Sequence, residues 1–312
     1  KVRSLVWRDD NLVDFASGGD VCGLDGSHRD AGIYYAYRFD AAVISPSGRS
    51  CLLHERLGTK GLLLDGSRHV AEVNRSYYHA NAYEYPAAFA RLEDGREILF
   101  HCPEEYNRIE ALDAATGKPL WTACEGSDFR DADFFHSRFA ISPGGRWLAS
   151  AGWIWHPIDY LMVYATSDLL RAPHDADHPL CQRRLQDTDA GLTEVDSVAF
   201  LNDEELIVAS YMLRDDVASG TFDRHPEKIE IWNLADDRVV SSVNLTDLTG
   251  PLLPIHHEWV VGFHDHPKLI NLRTGAVAQR WPHIATGARL GSICVNQAPE
   301  PILAIDQGKR RF

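Results

Sequence analysis

Short apolar runs separated by tight turns recur along this chain at a near-constant interval, and that recurrence restricts the fold more than any other feature. Ala42-Val43-Ile44 turns at Ser45-Pro46-Ser47-Gly48 into Cys51-Leu52-Leu53. The unit returns as Phe89-Ala90 turning at Asp94-Gly95 into Ile98-Leu99-Phe100, and as Phe139-Ala140-Ile141 turning at Gly144-Gly145 into Trp147-Leu148-Ala149. Further copies run through 198–208, 252–261 and 293–304. Gly, Pro, Asn and Asp stand at the reversals because they supply the preset or positive backbone angles that tight turns need. A second hairpin follows each first one: 62–64 turning at Asp65-Gly66, 109–112 reversing through Thr116-Gly117 to Trp121, and 162–164 turning at Ser167-Asp168. The last two are 229–234 turning at Asp236-Asp237 and 269–272 turning at Thr274-Gly275. Many short strands with regular turn signals and no long amphipathic helix indicate an all-β chain. Gly48, Gly95 and Gly145 set a repeat of about 50 residues, the length of a four-stranded unit.

These repeats resemble those of β-propellers of the WD-repeat and quinoprotein-like kind. Ile231-Trp232-Asn233-Leu234 stands where a WD repeat carries its Trp-Asp pair, and residues 111–121 are similar to the repeat of quinoprotein propellers. The Gly-His signature of WD repeats and an adjacent cysteine pair are both missing, so the resemblance implies a fold and brings neither a quinone nor a catalytic residue. It implies one propeller domain over residues 1–312, with a charged, proline-containing insertion between blades at 173–196. Residues 3–16 read as a lone hairpin that completes the blade begun at 293–304. That gives six blades with the ring closed by the N-terminal strands; if 3–16 open a blade of their own, the count is seven.

Composition narrows the partners. The chain has 312 residues and a formal net charge of -14, which repels nucleic acid and anionic membrane. No apolar run reaches the roughly 18 residues of a membrane helix. Six widely spaced cysteines without Cys-x-x-Cys fit reduced thiols in a cytoplasmic protein. Lys1-Val2-Arg3-Ser4 shows no signal peptide, and with no Met in front a removed leader stays open.

The 15 histidines point to one end of the propeller. In such a ring the loops from second to third strand and the connections between blades emerge together, and ligand sites form where loops converge on a rigid scaffold. His54, His101, His156, His225 and His266 fall at or just after the second strand of five successive units, three of them followed by proline. Either these histidines start strands and satisfy nearby carbonyls, or their imidazoles converge on a pocket; His54, His101 and His156 are the first candidates. As neutral imidazoles those three could also hold a transition metal, and His264-Asp265-His266 would place two imidazoles on one face if extended. The adjoining connections 74–86 and 131–138 add Arg75, Tyr78, His79, Glu84, His136 and Arg138, and Trp155 stands beside His156. Tyr77, Tyr78, Tyr83 and Tyr85 are expected to be at least half buried.

No Gly-x-Ser-x-Gly or phosphate-binding glycine loop occurs. The first reading is therefore a non-catalytic recognition or scaffold protein that binds a protein or small molecule at the His/Tyr-rich end. The alternative is an enzyme, a hydrolase, lyase or metal-dependent oxidoreductase, with its site at the same end. An enzyme needs a concave pocket with convergent polar groups, whereas a scaffold needs an open apolar patch with a polar rim.

Overall fold

The computed structural model describes residues 3–8, 11–120, 133–154, 158–171, 192–216 and 221–284. Within them the chain forms six antiparallel sheets in succession. The first contains Val6–Arg8, Asn11–Asp14, Asp20–Cys22 and His28–Arg29; the second Ala41–Ile44, Ser50–His54, Gly61–Asp65 and Arg68–Glu72. The third contains Ala87–Arg91, Glu97–His101 and Glu110–Asp113. In the fourth, Trp147–Ile154 pairs with Ile158–Ala165 on one side and with Phe139–Ile141 and Phe134–Phe135 on the other. The fifth is Leu192–Phe200, Glu205–Asp216, Thr221–Asn233 and Arg238–Asn244, and the sixth Leu252–His256, Trp259–Gly262, Lys268–Asn271 and Val277–Arg280. Arranged in a ring, they make a six-bladed β-propeller.

The alternation of side chains along each central strand explains why one apolar run serves two cores. Leu52 pairs with Leu63, and both face the third blade, packing with Phe89 and Leu99. Their neighbours Cys51, Leu53 and Leu64 face the first blade and meet Val13, Phe15 and Ala16. The pattern repeats around the ring. Ile98 and Phe100 join Leu148 and Met162, Trp147 and Ala149 join Leu206 and Val208, and Ile207 and Ala209 join Val260 and Ile270. Successive strand residues point to opposite faces, so a strand sandwiched between blades is apolar throughout.

Gly48, Gly95 and Gly145 all take positive φ, 74°, 85° and 76°, as the turns require. A Cβ on Gly145 would also lie 2.9 Å from the Arg91 carbonyl, so the third copy of the turn is closed to other residues on two counts.

Three expectations change. Residues 3–16 are not a lone hairpin, because Asn11–Asp14 goes on to pair with Asp20–Cys22 and so begins a four-stranded sheet of its own. The hairpin at 293–304 lies outside the described residues, and ring closure through it lies there too. The turn expected at Ser167-Asp168 is a short helix, Thr166–Arg171, which carries Leu169 down into the core between blades three and four. The end of the 173–196 insertion belongs to the propeller itself, since the fifth blade's first strand starts at Leu192; residues 172–191 lie outside the described residues.

Candidate functional site

His54 and His101 each end a second strand, as the sequence indicates, but both are buried. The His54 ring lies 5.0 Å from the Tyr85 ring. Burial, with Arg56 and Arg75 nearby, pushes its pKa down to about 3, and burial pushes that of His101 down to about 4. His136 is buried as well, its Nδ1 3.0 Å from Ser150 Oγ, and its pKa falls to about 3 by the same loss of hydration. These imidazoles are neutral interior groups. His225 is an exposed residue inside a third strand, and His266 is half-buried in a turn. The segment 264–266 is not extended: Asp265 takes φ 61° and His266 N–H donates to the His264 carbonyl at 2.7 Å. Trp155 and His156 lie outside the described residues, so the proposed three-histidine set is incomplete there. Among the described residues no group of three His, Cys, Asp or Glu is placed to hold a metal.

The connection from the second to the third blade is organised by Arg75. Buried in the loop, it donates from Nε to the Gly58 carbonyl at 2.7 Å and from Nη2 to the Ala80 and Tyr83 carbonyls at 2.6 and 3.0 Å. Its guanidinium lies over the Tyr83 and Tyr85 rings, with centroids 4.5 and 5.2 Å away. Arg75 is thus a staple, not a surface recognition group. Two turns, Ala80 N–H to Tyr77 O and Ala82 N–H to His79 O, with His79 at φ 50°, leave Tyr78, His79 and Asn81 exposed while Ala80 is buried. Tyr83 and Tyr85 are buried as expected, but Tyr77 is 88% exposed and Tyr78 41% exposed. The reason is local: Arg75 holds the loop by its carbonyls, so these two rings are not needed to anchor it.

Tyr78 rests on a column of rings. Trp153 stacks on Phe135 at 3.9 Å with planes 3° apart, Phe135 on Tyr106 at 3.9 Å and 13°, and Tyr106 on Tyr78 at 5.3 Å and 27°. His79 meets Tyr78 edge-on at 4.4 Å. Tyr106 donates its hydroxyl to Asp133 Oδ1 at 2.7 Å. The column runs from the buried Trp153 and Phe135 to solvent, an aromatic shelf with a rigid base. Glu84 is half-buried beside it, and its carbonyl accepts from Ser137 Oγ at 3.2 Å.

Arg138 belongs to a second cluster, most of which sequence reasoning missed. It donates to the Ala151 carbonyl at 2.7 Å and the Asp196 carbonyl at 2.6 Å, and its Nη2 lies 3.7 Å from Asp159 Oδ1. The Tyr211 hydroxyl is 3.0 Å from both Asp159 Oδ2 and Glu194 Oε2. Arg224 lies 3.5 Å over the Tyr211 ring and binds Asp196 Oδ1 at 3.2 Å. Asp196 Oδ2 accepts from Thr249 Oγ1 at 2.8 Å and Gly250 N–H at 2.9 Å. A phenol has one proton and can donate to only one of two carboxylates. Burial and the nearby Asp159 charge push Glu194 up to about 7, which lets it carry the second proton. Burial opposes charge on Asp196, but Arg224, Thr249 and Gly250 outweigh it and hold that carboxyl below its usual range. The signal in the sequence was two carboxylates, Glu194 and Asp196, close together ahead of an apolar run; a bulge between Val195 and Ser197 takes Asp196 out of the regular alternation.

A cavity of about 570 Å³ opens at the opposite end, lined by Trp7, Arg8, Ser45, Ser47 and Arg49 among others, and no histidine borders it.

The fold and this end together define a propeller with an aromatic rim, and comparison with known proteins supports the fold. No protein-family model and no curated protein sequence matches the chain. Among solved structures it is similar to Kuenenia stuttgartiensis hydrazine synthase, with a TM-score of 0.59 at 12% identity over 93% of this chain and 87% of that one. It is also similar to the β-propeller domain of Cps50 (Swd1) from Myceliophteria thermophila, with a TM-score of 0.52 at 14% identity over 88% and 81%. A chain of the Mitotic Checkpoint Complex gives 0.55 at 12% identity over 90% and 77%. At these identities the likeness concerns the fold alone. No helix among the described residues is long and apolar enough to cross a membrane.

Proposed function

We propose that this propeller is a non-catalytic recognition protein that binds a protein partner through the shelf formed by Tyr78 and Tyr106, with the exposed Tyr77 next to it in the chain. The observation that carries the reading is Tyr78, 41% exposed yet stacked on a column rooted in the core. A preorganised tyrosine loses little side-chain entropy on binding, and aromatic anchors dominate binding energy at protein interfaces. Two further facts favour a binding face over a catalytic pocket. His54, His101 and His136 are buried and neutral, and the near-neutral carboxyl, Glu194, is only 2% exposed. The likeness to a chain of a multiprotein complex is consistent with such a role. The buried thiols Cys51 and Cys102, both free, suit a cytoplasmic setting.

The test is recovery of the protein at its native level from its own cells, with co-purifying proteins quantified. Tyr77→Ala and Tyr78→Ala are expected to lose a stoichiometric partner with melting temperature unchanged, while Arg49→Ala at the opposite end keeps it. Equal recovery from all three variants would sink the reading.

A further inference from the structure

From the groups that border the shelf we infer that its ligand is a basic segment of another protein, which lays a lysine or arginine side chain against the tyrosines. The inference rests on the shelf being the recognition face and adds the chemistry of what it takes. Glu104 and Glu105 are exposed directly before Tyr106, and Asp133 is exposed while accepting the Tyr106 hydroxyl at 2.7 Å. Among the described residues the cations nearest in sequence are committed elsewhere. Arg75 is buried on loop carbonyls, and Arg108 binds Glu110 Oε1 at 2.6 Å. His79 sits edge-on to Tyr78. Among the described residues the exposed aromatic surface is therefore rimmed by carboxylates.

That combination selects a particular occupant. An aromatic face attracts a cation through its quadrupole, and carboxylates a few ångströms away add Coulomb attraction and accept the ammonium or guanidinium hydrogen bonds. The apolar stem of lysine or arginine covers ring surface at the same time. A second copy of the chain is the alternative occupant of an exposed aromatic patch, but two molecules of formal charge -14 meeting at an acidic rim repel. Nucleic acid is disfavoured by the same sign. A basic partner gains from both the local rim and the long-range field, which also speeds its approach.

The experiment uses the full chain and a capped decapeptide of alternating lysine and glycine, with a twin in which norleucine replaces lysine. Binding is followed by calorimetry at low and at near-physiological salt. The lysine peptide is expected to bind, to weaken with salt, and to exceed the norleucine peptide by roughly tenfold. Tyr78→Ala, and separately Glu105→Gln combined with Asp133→Asn, should each weaken it by roughly fivefold. Asp94→Asn combined with Asp236→Asn removes the same charge from turns at the opposite end and should leave binding within about twofold. Equal loss in that control would mean that only the global field acts, and equal binding of the two peptides, or none of the lysine peptide, would likewise overturn the inference. Should the tyrosine variants still shed their native partner while the peptides are not distinguished, the recognition face stands and its preference for a cation falls. If neither readout responds, both fall.

Discussion

Buried ionisable side chains give this protein two opposing dependences of stability on pH. His54, His101 and His136 have folded-state pKa values of about 3, 4 and 3 against an ordinary 6.5. For such a depressed base the stabilisation is present above pH 6.5 and is lost as pH falls from there through about 3 to 4. Glu194 runs the other way: raised from 4.5 to about 7, it favours the fold below pH 4.5 and loses that contribution as pH rises through 7. Three histidines outweigh one glutamate where the windows overlap, so chemical denaturation should show stability rising from about pH 4 and levelling off above about pH 7, the glutamate blunting the rise without reversing it. Glu194→Gln keeps an acceptor for the Asp159 amide but cannot ionise. Between pH 5 and 8 its stability relative to wild type should therefore move in its favour by about 2–3 kcal/mol, at ~1.4 kcal/mol per pKa unit. A pH-independent difference would show that Glu194 is charged in the folded protein. The identity of these histidines was legible in the sequence and their environment was not. His54 and His101 stand at the strand ends where the repeat puts them, yet a pocket-facing and a core-facing imidazole have the same sequence neighbours.

At the scale of the strand and turn, the sequence announces an element best where a single local rule decides it. The hairpins closed by Gly48, Gly95 and Gly145 could be read because positive φ at a turn is a local demand. The helix Thr166–Arg171 escaped because Ser167-Asp168 serves equally as a turn or as a helix start, and the choice is made by Leu169 reaching the core. The start of the fifth blade's first strand escaped for a related reason. Glu194 and Asp196 make it look like loop, and only Tyr211, Arg224 and Thr249, distant in sequence, pay for burying them. Apolar central strands, by contrast, announce themselves because both faces are covered. Leu99 lies in such a strand, fully buried among Leu52, Phe89 and Leu112 in the core between blades two and three. Leu99→Ala should cost about 2–5 kcal/mol by leaving a void that rigid sheets cannot close, measured by denaturant unfolding. A loss under about 1 kcal/mol would mean that the two blades slide together to fill it, contrary to a ring in which each blade is held on both sides.

For the molecule as a whole, blades are joined by apolar cores but their entry loops are fixed by charge. Asp196 is the clearest case: it stands on the first strand of the fifth blade, binds Arg224 on the third, and receives Thr249 and Gly250 from the connection into the sixth. Arg138 ties the fourth blade to the Asp196 carbonyl. One residue thus ties three blades at the end that carries the aromatic shelf, the fifth and sixth through its carboxylate and the fourth through its carbonyl. Removing one partner of a buried charged pair leaves the other uncompensated, which costs about 3–5 kcal/mol. Asp196→Ala takes from the Arg224 guanidinium, whose side chain is 5% exposed, the carboxylate it binds at 3.2 Å, and from the Gly250 N–H its acceptor. Asp196→Asn keeps an oxygen for Thr249 and Gly250 and gives up the charge opposite Arg224. If the carboxylate is the clamp, the alanine variant should lose the full amount and the asparagine variant about half. In hydrogen exchange the Gly250 amide should lose protection in the alanine variant well before the strand amides of Trp259–Gly262. Loss of protection across the whole sixth blade at once would instead mean that the connection and the blade open as one unit, and that the apolar core between blades five and six depends on this carboxylate.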